Sequence, residues 1–281
     1  MKKSITLRAF PPHMGTLERV RLAKEAGFQA VELNLEPGLD VNPGSPNREI
    51  QEMGRMVGDL GMEFSSIYSR EQWRYVISSG DPKRREMAKD IVKRLIEVAN
   101  LLSIGAVLVI PGAVDDSLFG KEPEIVPYDV VYERVQEALG ELLPLAADAG
   151  TVLAIENVPN KFLLSPLEMA RFVDEVAHPN LGVYFDVANA MLVGFPEHWI
   201  RILRERIARI HVKDYRLDIG GMAGFTGLLA GDIRWPEVVL ALREIEYDGY
   251  ITSEVLPAYK YHGDRLVYEA SAAISAIFGL P

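Results

Sequence analysis

The sequence predicts an α/β protein that forms a single (β/α)8 barrel over residues 1–281. Three observations predict this fold. Eight short β-rich runs alternate with helical patterns, which is typical of parallel βα units. No composition break or Ser/Gly-rich linker divides the chain, and several segments that follow strands are long. Eight units on one unbroken chain favour a closed barrel over a doubly wound open sheet.

The predicted strands share β-branched and apolar residues and are bordered by turn residues. They are Ile5–Phe10, Gln29–Leu35, Met62–Tyr68, Ala106–Ile110, Thr151–Glu156, Leu181–Asp186, Ala208–Lys213 and Tyr250–Val255. Amphipathic stretches lie between them. One of these has apolar residues at helical spacing, namely Met87, Ile91, Leu95, Val98 and Leu102.

Cap and turn residues mark the helix boundaries. Asp81-Pro82 and Ser165-Pro166, the latter followed by Glu168, predict helix starts with an N-cap and a proline in the first turn. A glycine stands one or two residues before five of the strands, where a helix end often needs a left-handed residue. These glycines are Gly27, Gly61, Gly105, Gly150 and Gly249.

Long loop segments directly follow four of the strands, whereas the segments that directly precede the strands are mostly short. They are Glu36–Asn47, Ser69–Asp81, Pro111–Val126 and Asp214–Arg234. In such barrels the loops after the strands build the active site, so we expect the functional residues on that face.

Composition excludes several classes of protein and site. The chain has no cysteine, which rules out disulfides and thiolate zinc sites and fits a cytoplasmic protein. Its formal net charge of −10 argues against a nucleic-acid partner, because phosphates would be repelled. No apolar run is long enough for a membrane span, and the first residues carry no extended apolar stretch of a signal peptide.

Four consecutive predicted strands end in a side chain that can bind a metal. These residues are Glu156, Asp186, His211 and Glu254. A lone strand-end carboxylate is more often an ion-pair or capping partner, but four in the same position favour a shared site. Three carboxylates held close together would repel one another unless a cation neutralised them. Oxygen-rich ligation with one imidazole favours Mn²⁺ and leaves Mg²⁺, Zn²⁺ and Co²⁺ open.

Several segments resemble the xylose-isomerase-like barrel superfamily of sugar isomerases and epimerases. They are Ala154–Asn157, Tyr184–Asn189, Ile210–Asp214, Gly231–Pro236 and Asp248–Tyr250 with Glu254. The run from Asn189 to Trp199 is similar to the L-ribulose-5-phosphate (L-xylulose-5-phosphate) 3-epimerases. The resemblance implies that the four strand-end residues are the metal ligands and that Glu156 and Glu254 also act on the substrate.

The chain departs from the superfamily pattern at two positions. Epimerases of free ketoses usually carry histidine where this chain has Asn189, and their arginine after the seventh strand lies about one residue beyond Arg216. Both residues are therefore candidates to bind substrate hydroxyls or a phosphate. Which groups they bind is left open by the sequence.

Four further residues are candidates for substrate contact. Glu32 ends the second strand and could contact a hydroxyl or orient His211, although a plain ion pair is an equal alternative. Lys213 follows His211 by two residues, and His13 follows the first strand. Trp73 lies in a long loop, where it could pack on a sugar or in the core of the protein.

The glycines in the loop after the seventh strand, Gly220, Gly221, Gly224 and Gly227, could cradle a phosphate through backbone N–H groups. The equal alternative is a mobile surface loop.

These features favour a divalent-metal-dependent isomerase or epimerase of a small ketose or ketose phosphate, with 3-epimerisation favoured. One glutamate would remove a proton to give an enediolate and the other would return it on the opposite face. The alternatives are a metal-dependent lyase acting on a polyol or keto acid and a non-catalytic sugar-binding protein. An apurinic endonuclease is disfavoured because its metal cluster needs more histidines at strand ends than this chain offers. We also expect a homo-oligomer.

Overall fold

The computed structural model describes residues 1–117, 123–256 and 258–280. Its parallel strands are β1 (Lys2–Thr6), β2 (Ala30–Asn34), β3 (Glu63–Tyr68), β4 (Ala106–Val109), β5 (Val152–Glu156), β6 (Leu181–Asp186), β7 (Ile207–Val212) and β10 (Tyr250–Ser253). They close into a barrel in the order β1-β10-β7-β6-β5-β4-β3-β2, because β1 pairs in parallel with both β10 and β2. The predicted (β/α)8 barrel is confirmed.

Helices surround this barrel and alternate with its strands. They are α1 (Thr16–Glu25), α2 (Asn47–Asp59), α3 (Glu71–Arg74), α4 (Pro82–Leu102), α5 (Tyr128–Asp148), α6 (Pro166–Val176), α7 (Val187–Ala190), α8 (Pro196–Leu203), α9 (Trp235–Glu244) and α10 (Arg265–Phe278). A short antiparallel pair, β8 (Asp214–Tyr215) and β9 (Phe225–Thr226), lies in the loop after β7. No described helix has the length and apolar character that a membrane crossing requires.

Both predicted helix starts are confirmed. The Asp81 side chain accepts a hydrogen bond from the Lys83 N–H at 2.9 Å, and the Ser165 hydroxyl accepts one from the Glu168 N–H at 3.2 Å. Each cap satisfies a backbone donor that the first helical turn leaves unpaired. The predicted apolar stripe before the fourth strand lies in α4.

The predicted bounds of the first strand, Ile5–Phe10, are wrong. The strand runs from Lys2 to Thr6, and a 3₁₀ turn follows it. The pattern of apolar residues does not reveal the start of this strand because a polar side chain is buried there. Lys3 is only 3% exposed, and its ammonium donates to the Ser271 hydroxyl of α10 at 3.0 Å.

The predicted left-handed glycines are confirmed at three positions and wrong at two. Positive φ angles occur at Gly27, Gly61 and Gly150. Before β4 and β10 the left-handed residues are instead Ser103 (φ 54°) and Glu246 (φ 55°). Gly249 serves a different purpose, since a Cβ there would lie 2.6 Å from the Tyr247 hydroxyl oxygen.

The core lies between the outer face of the barrel and the helices, and it consists of aliphatic and aromatic side chains. Inside the barrel, towards the carboxyl ends of the strands, buried side chains become polar, including Glu32, Ser66 and Thr252. Part of the predicted long loop Pro111–Val126, residues 118–122, lies outside the described residues. The polar interior leads directly to the candidate site.

Candidate active site

The structure brings the four predicted ligands together at the carboxyl ends of four neighbouring strands. Glu156 ends β5, Asp186 ends β6, His211 is the penultimate residue of β7 and Glu254 directly follows β10. One donor atom from each residue lies within 4.8 Å of the others. Because these strands are adjacent in the barrel, the ligands form one continuous arc of its mouth.

The imidazole of His211 is oriented by a carboxylate on each side. Its Nδ1 lies 3.1 Å from Glu156 Oε1, 3.8 Å from Glu254 Oε2 and 4.0 Å from Asp186 Oδ2. Its Nε2 lies 3.0 Å from Glu32 Oε2. A metal-ligating histidine commonly donates its second ring N–H to a carboxylate, which fixes the tautomer and aims the first nitrogen.

Glu32 is held below the cluster by two hydroxyl groups. It is 1% exposed and accepts hydrogen bonds from the Tyr184 hydroxyl at 2.9 Å and the Ser66 hydroxyl at 3.0 Å. The hydrogen bonds and the ion pair with His211 lower its pKa, against the opposing effect of burial. Of the roles left open by the sequence, this geometry fits the orientation of His211 and not contact with substrate.

Lys213 places an internal positive charge on two of the carboxylates. Its ammonium donates to Asp186 Oδ2 and, at 2.7 Å, to Glu254 Oε2. Burial by itself lowers the pKa of Lys213, but the neighbouring carboxylates outweigh burial and raise it. The lysine also lies 5.1 Å from the ring centroid of Phe225, at the edge of the cavity above the cluster.

The two glutamates differ in their electrostatic environment. Burial raises the pKa of Glu156 to about 7, and the nearby carboxylates act in the same direction while His211 opposes them. Burial also favours the neutral form of Glu254, but Lys213 and His211 outweigh it and lower the pKa to about 2. The cluster therefore pairs a carboxyl group that titrates near neutrality with one that stays ionised.

A short hydrogen-bond chain fixes Asp186. Its Oδ1 accepts from the Asn189 N–H at 2.7 Å, and its own N–H donates to Asn157 Oδ1 at 2.7 Å. The Asn189 amide in turn donates to the Asn157 carbonyl at 2.9 Å. The sequence had placed Asn157 only within a family motif, without a role. The side chain of Asn157 ties the end of β5 to the end of β6.

The donor set fits a divalent cation. Ligand distances of about 2.0–2.2 Å place opposite ligands roughly 4.0–4.4 Å apart, which is close to the spacing of these four donors. Three carboxylates and one imidazole form a mixed oxygen and nitrogen site of the kind that Mn²⁺, Mg²⁺ and Zn²⁺ occupy. The pairing of His211 with Glu32 supplies the outer support that such ligands require.

A cavity of about 670 Å³ opens above the cluster. Its walls include the predicted residues Trp73, Asn189 and Lys213 together with Glu156 and Glu254. It is also lined by Arg8, Tyr68, Arg70, Glu71, Arg74, Leu108, Val158, Pro159, Met222, Phe225 and Leu256, which the sequence did not single out.

Three predicted substrate contacts do not line this cavity, and one of them is the buried Glu32. Arg216 directly follows β8 and pairs with Asp218 at 3.1 Å on the surface, with 47% of its side chain exposed. His13 is exposed in the turn after the first strand. Arg8 reaches the mouth instead, and the incorrect strand bounds had hidden it by placing it inside the predicted strand.

The glycine-rich loop after β7 faces the cavity with apolar side chains. Met222 and Phe225 form part of the wall, and the Lys213 ammonium lies near the Phe225 ring. The N–H groups of Gly220 and Gly224 donate to carbonyls within the same loop at 3.1 and 3.2 Å. Those two amides are therefore engaged and do not form an open phosphate cradle.

Comparison with known families places the chain in one of them. A family model described as "Xylose isomerase-like TIM barrel" matches residues 20–274. The chain belongs to this family. The match confirms the resemblance seen in the strand-end motifs, and it covers all four residues of the cluster.

Relatives by sequence are identical to this member of the family at about a quarter of the aligned positions. An uncharacterised protein of Methanocaldococcus jannaschii is 28% identical over 189 residues, which are 63% of this chain and 59% of that protein. An Escherichia coli protein with the provisional name L-ribulose-5-phosphate 3-epimerase SgbU is 27% identical over 210 residues, 70% of this chain and 67% of that protein. The similarity thus spans less than two thirds of the archaeal relative's length.

Solved structures show the same fold over nearly the entire chain. A D-psicose 3-epimerase in the presence of D-fructose superposes with a TM-score of 0.80 at 19% identity and covers 100% of both chains. An L-ribulose 3-epimerase gives 0.80 at 18% identity over 99% of this chain and 94% of its own. The IolI protein with a binding zinc atom gives 0.81 at 15% identity over 99% and 98%.

Proposed function

We propose that this chain is a divalent-metal-dependent epimerase of a small ketose or ketose phosphate, with inversion at C3 favoured over aldose–ketose isomerisation. The observation that carries the proposal is the convergence of four donor groups within 4.8 Å at the floor of a cavity of about 670 Å³. Relatives named as 3-epimerases, at both the sequence and the fold level, support the choice of reaction.

Glu156, Asp186, His211 and Glu254 would hold the ion, with Mn²⁺ favoured by the preponderance of oxygen donors. A divalent ion at this position would supply positive charge that stabilises an enediolate formed from the substrate. Zn²⁺ is the main alternative, because one structural neighbour has a binding zinc atom.

Glu156 and Glu254 are placed to move a proton across the substrate. They project from β5 and β10, which are separated in the barrel by β6 and β7, and both line the cavity. A carboxylate oxygen of one removes the proton from the carbon, and the carboxyl group of the other delivers a proton to the opposite face. Transfer between two faces of one carbon inverts its configuration.

Other side chains would orient the sugar and limit water. Trp73 forms a wall on which the apolar face of a sugar can pack, and its Nε1–H donates to the Tyr68 hydroxyl at 3.1 Å, which fixes the ring. Asn189 offers an amide at the cavity wall for a substrate hydroxyl. Met222 and Phe225 cover the cavity from the loop after β7.

The decisive experiment is incubation of the purified protein with Mn²⁺ in D₂O and a panel of ketoses and ketose 5-phosphates. We expect deuterium at a single carbon of one substrate, together with its epimer, as measured by NMR and mass spectrometry. Chelation of the metal should abolish both signals. Loss of water from the product would indicate a lyase, and absence of exchange at every carbon would contradict the proposal.

A further inference from the structure

The cavity mouth has two chemically different arcs. The metal-ligand cluster occupies the arc of β5, β6, β7 and β10. On the remaining arc, three arginines follow two nearby strands and line the same cavity: Arg8 after β1, and Arg70 and Arg74 after β3. A substrate bound at the metal-ligand cluster would therefore have guanidinium groups beside it, on the arc of β1 and β3.

Arg8 is the least exposed of these three arginines. Its side chain is only 24% exposed, and its one ion pair is a long contact of 3.9 Å from Nη1 to Glu254 Oε1. Its guanidinium lies 5.7 Å from the ring centroid of Tyr68. Across the described residues its guanidinium makes no hydrogen bond within 3.5 Å, so a planar fork of N–H donors faces the cavity without a partner.

Arg70 and Arg74 add positive charge at the outer rim. Arg70 pairs with Glu36 Oε2 at 2.9 Å, and Arg74 lies 3.8 Å from Glu71 Oε2. Their side chains are 58% and 50% exposed, so they remain accessible to a ligand that enters the cavity. Exposed charges of one sign around a cleft raise the local concentration of oppositely charged ligands.

A buried donor on the strand between them points to the same arc. The amide Nδ2 of Asn34 is buried and has no hydrogen-bond partner among the described residues. Asn34 lies on the same strand face as Glu32, inside the barrel, and is in register with Tyr68 of β3. A buried donor without a partner carries a free-energy cost, so the polar interior of the barrel on this arc is not fully satisfied by the described residues.

We propose that Arg8, assisted by Arg70 and Arg74, forms an anion-binding site for a phosphate or carboxylate group of the substrate. The proposal rests on the function proposed above and deepens it by naming a charged group of the substrate and the side of the cavity, after β1 and β3, that binds it. An anionic group would be repelled by the carboxylates of the cluster and attracted by the arginine arc, so the site fixes which end of the sugar faces the glutamates. A guanidinium fork matches both oxyanions through paired hydrogen bonds.

The test measures binding, so that it does not depend on turnover. Isothermal titration calorimetry of the Mn²⁺-loaded protein would compare ribitol, ribitol 5-phosphate and ribonate, none of which has the carbonyl needed for epimerisation. We expect one of the two anions to bind roughly ten- to hundredfold more tightly than ribitol, as charge-assisted hydrogen bonds predict. The anion that binds identifies the group as phosphate or carboxylate.

Variants then assign the site. Arg8→Gln should remove this preference, Arg8→Lys should retain part of it, and Arg243→Gln on the exposed surface of α9 should leave it unchanged. Equal binding of all three polyols by the wild type, or an unchanged preference in folded Arg8→Gln, would overturn the proposal. Preferred binding of an anion without deuterium exchange on any substrate would refute the epimerase function and support the anion site. Deuterium exchange on neutral ketoses alone would support the epimerase function and refute the anion site.

Discussion

Glu156 and Glu254 are chemically distinct although both lie at strand ends. Glu156 Oε1 lies 3.1 Å from His211 Nδ1 and has no lysine contact among the described residues, whereas Glu254 accepts from Lys213 at 2.7 Å. Burial raises the pKa of both groups, but Lys213, His211 and Arg8 outweigh it at Glu254, whereas neighbouring carboxylates add to it at Glu156. The two glutamates therefore differ in pKa before any substrate binds.

The first prediction concerns these two glutamates. Glu156→Gln and Glu254→Gln keep the side-chain shape but remove a group that can exchange a proton, so we expect each to lower the epimerase rate by about 10²–10⁴-fold. Glu52→Gln on the exposed face of α2 is the matched control. Steady-state rates should be paired with metal analysis, and near-wild-type rates in both metal-loaded variants would refute the assignment.

The second prediction concerns Glu32. Glu32→Gln removes the negative charge that lies 3.0 Å from His211 Nε2, so the opposite ring nitrogen should become a weaker ligand. We expect metal affinity to fall by about 10–100-fold, measured by competition with a chelator. Glu63→Gln, at the other end of the neighbouring strand β3, should bind metal as the wild type does. Unchanged affinity in Glu32→Gln would show that the contact has no orienting role.

At the scale of secondary-structure elements, a loop can cap a helix that is distant from it in the sequence. Asp40, in the loop after β2, accepts from the Thr16 N–H at 2.8 Å and from its hydroxyl at 2.5 Å. The residue before α1 is Gly15, which offers no side chain for capping. The loop thereby supplies the cap that the local sequence of α1 lacks.

The third prediction follows from this cap. Asp40→Ala should destabilise the protein by about 1 kcal/mol at pH 7, measured by urea unfolding, whereas Glu52→Ala should have little effect. Burial alone would raise the pKa of Asp40, but its hydrogen bonds from Thr16 and Val41 lower it below 3.8. The contribution is thus present above pH 3.8 and is lost as the pH falls through the lower folded value. An equal difference between the variants at pH 7 and at pH 2 would contradict this account.

At the scale of the whole molecule, barrel closure concentrates negative charge at one point. The ligands come from four strands that span much of the chain, and Lys213 offsets part of their mutual repulsion. A bound cation would offset more of it. Because the cluster exists only in the folded protein, metal binding should be linked to global stability.

The fourth prediction tests that linkage. A metal concentration one hundred times the Kd should stabilise the protein by about 2.7 kcal/mol, a rise in Tm of roughly 5–10 °C. Lys213→Met should cost about 3–5 kcal/mol in the metal-free protein, because it leaves buried carboxylates without their cation. The gain in stability from Mn²⁺ should then be larger in Lys213→Met than in the wild type.

Lys161→Met is the control for this variant, since Lys161 is 67% exposed and pairs with Asp115 on the surface. It should change Tm little in either condition. Identical metal increments in the wild type and Lys213→Met would show that the lysine does not substitute for cation charge in the cluster.

The sequence by itself determined the barrel and the four strand-end residues that are proposed as metal ligands. Eight βα periods can close in few ways, and parallel strands bring their carboxyl ends to one face, so position in the chain was enough to select Glu156, Asp186, His211 and Glu254. Their convergence follows from topology and not from side-chain detail.

Only the tertiary structure decided the neighbours of those ligands. Lys3 is buried in β1 because α10 supplies its hydrogen-bond partners, so local polarity gave the wrong strand bounds and concealed Arg8. Glu32 turns towards His211 and Arg216 turns to solvent because packing fixes their directions. Periodicity records which face a residue occupies, whereas the partner across the barrel depends on closure and register between segments far apart in the chain.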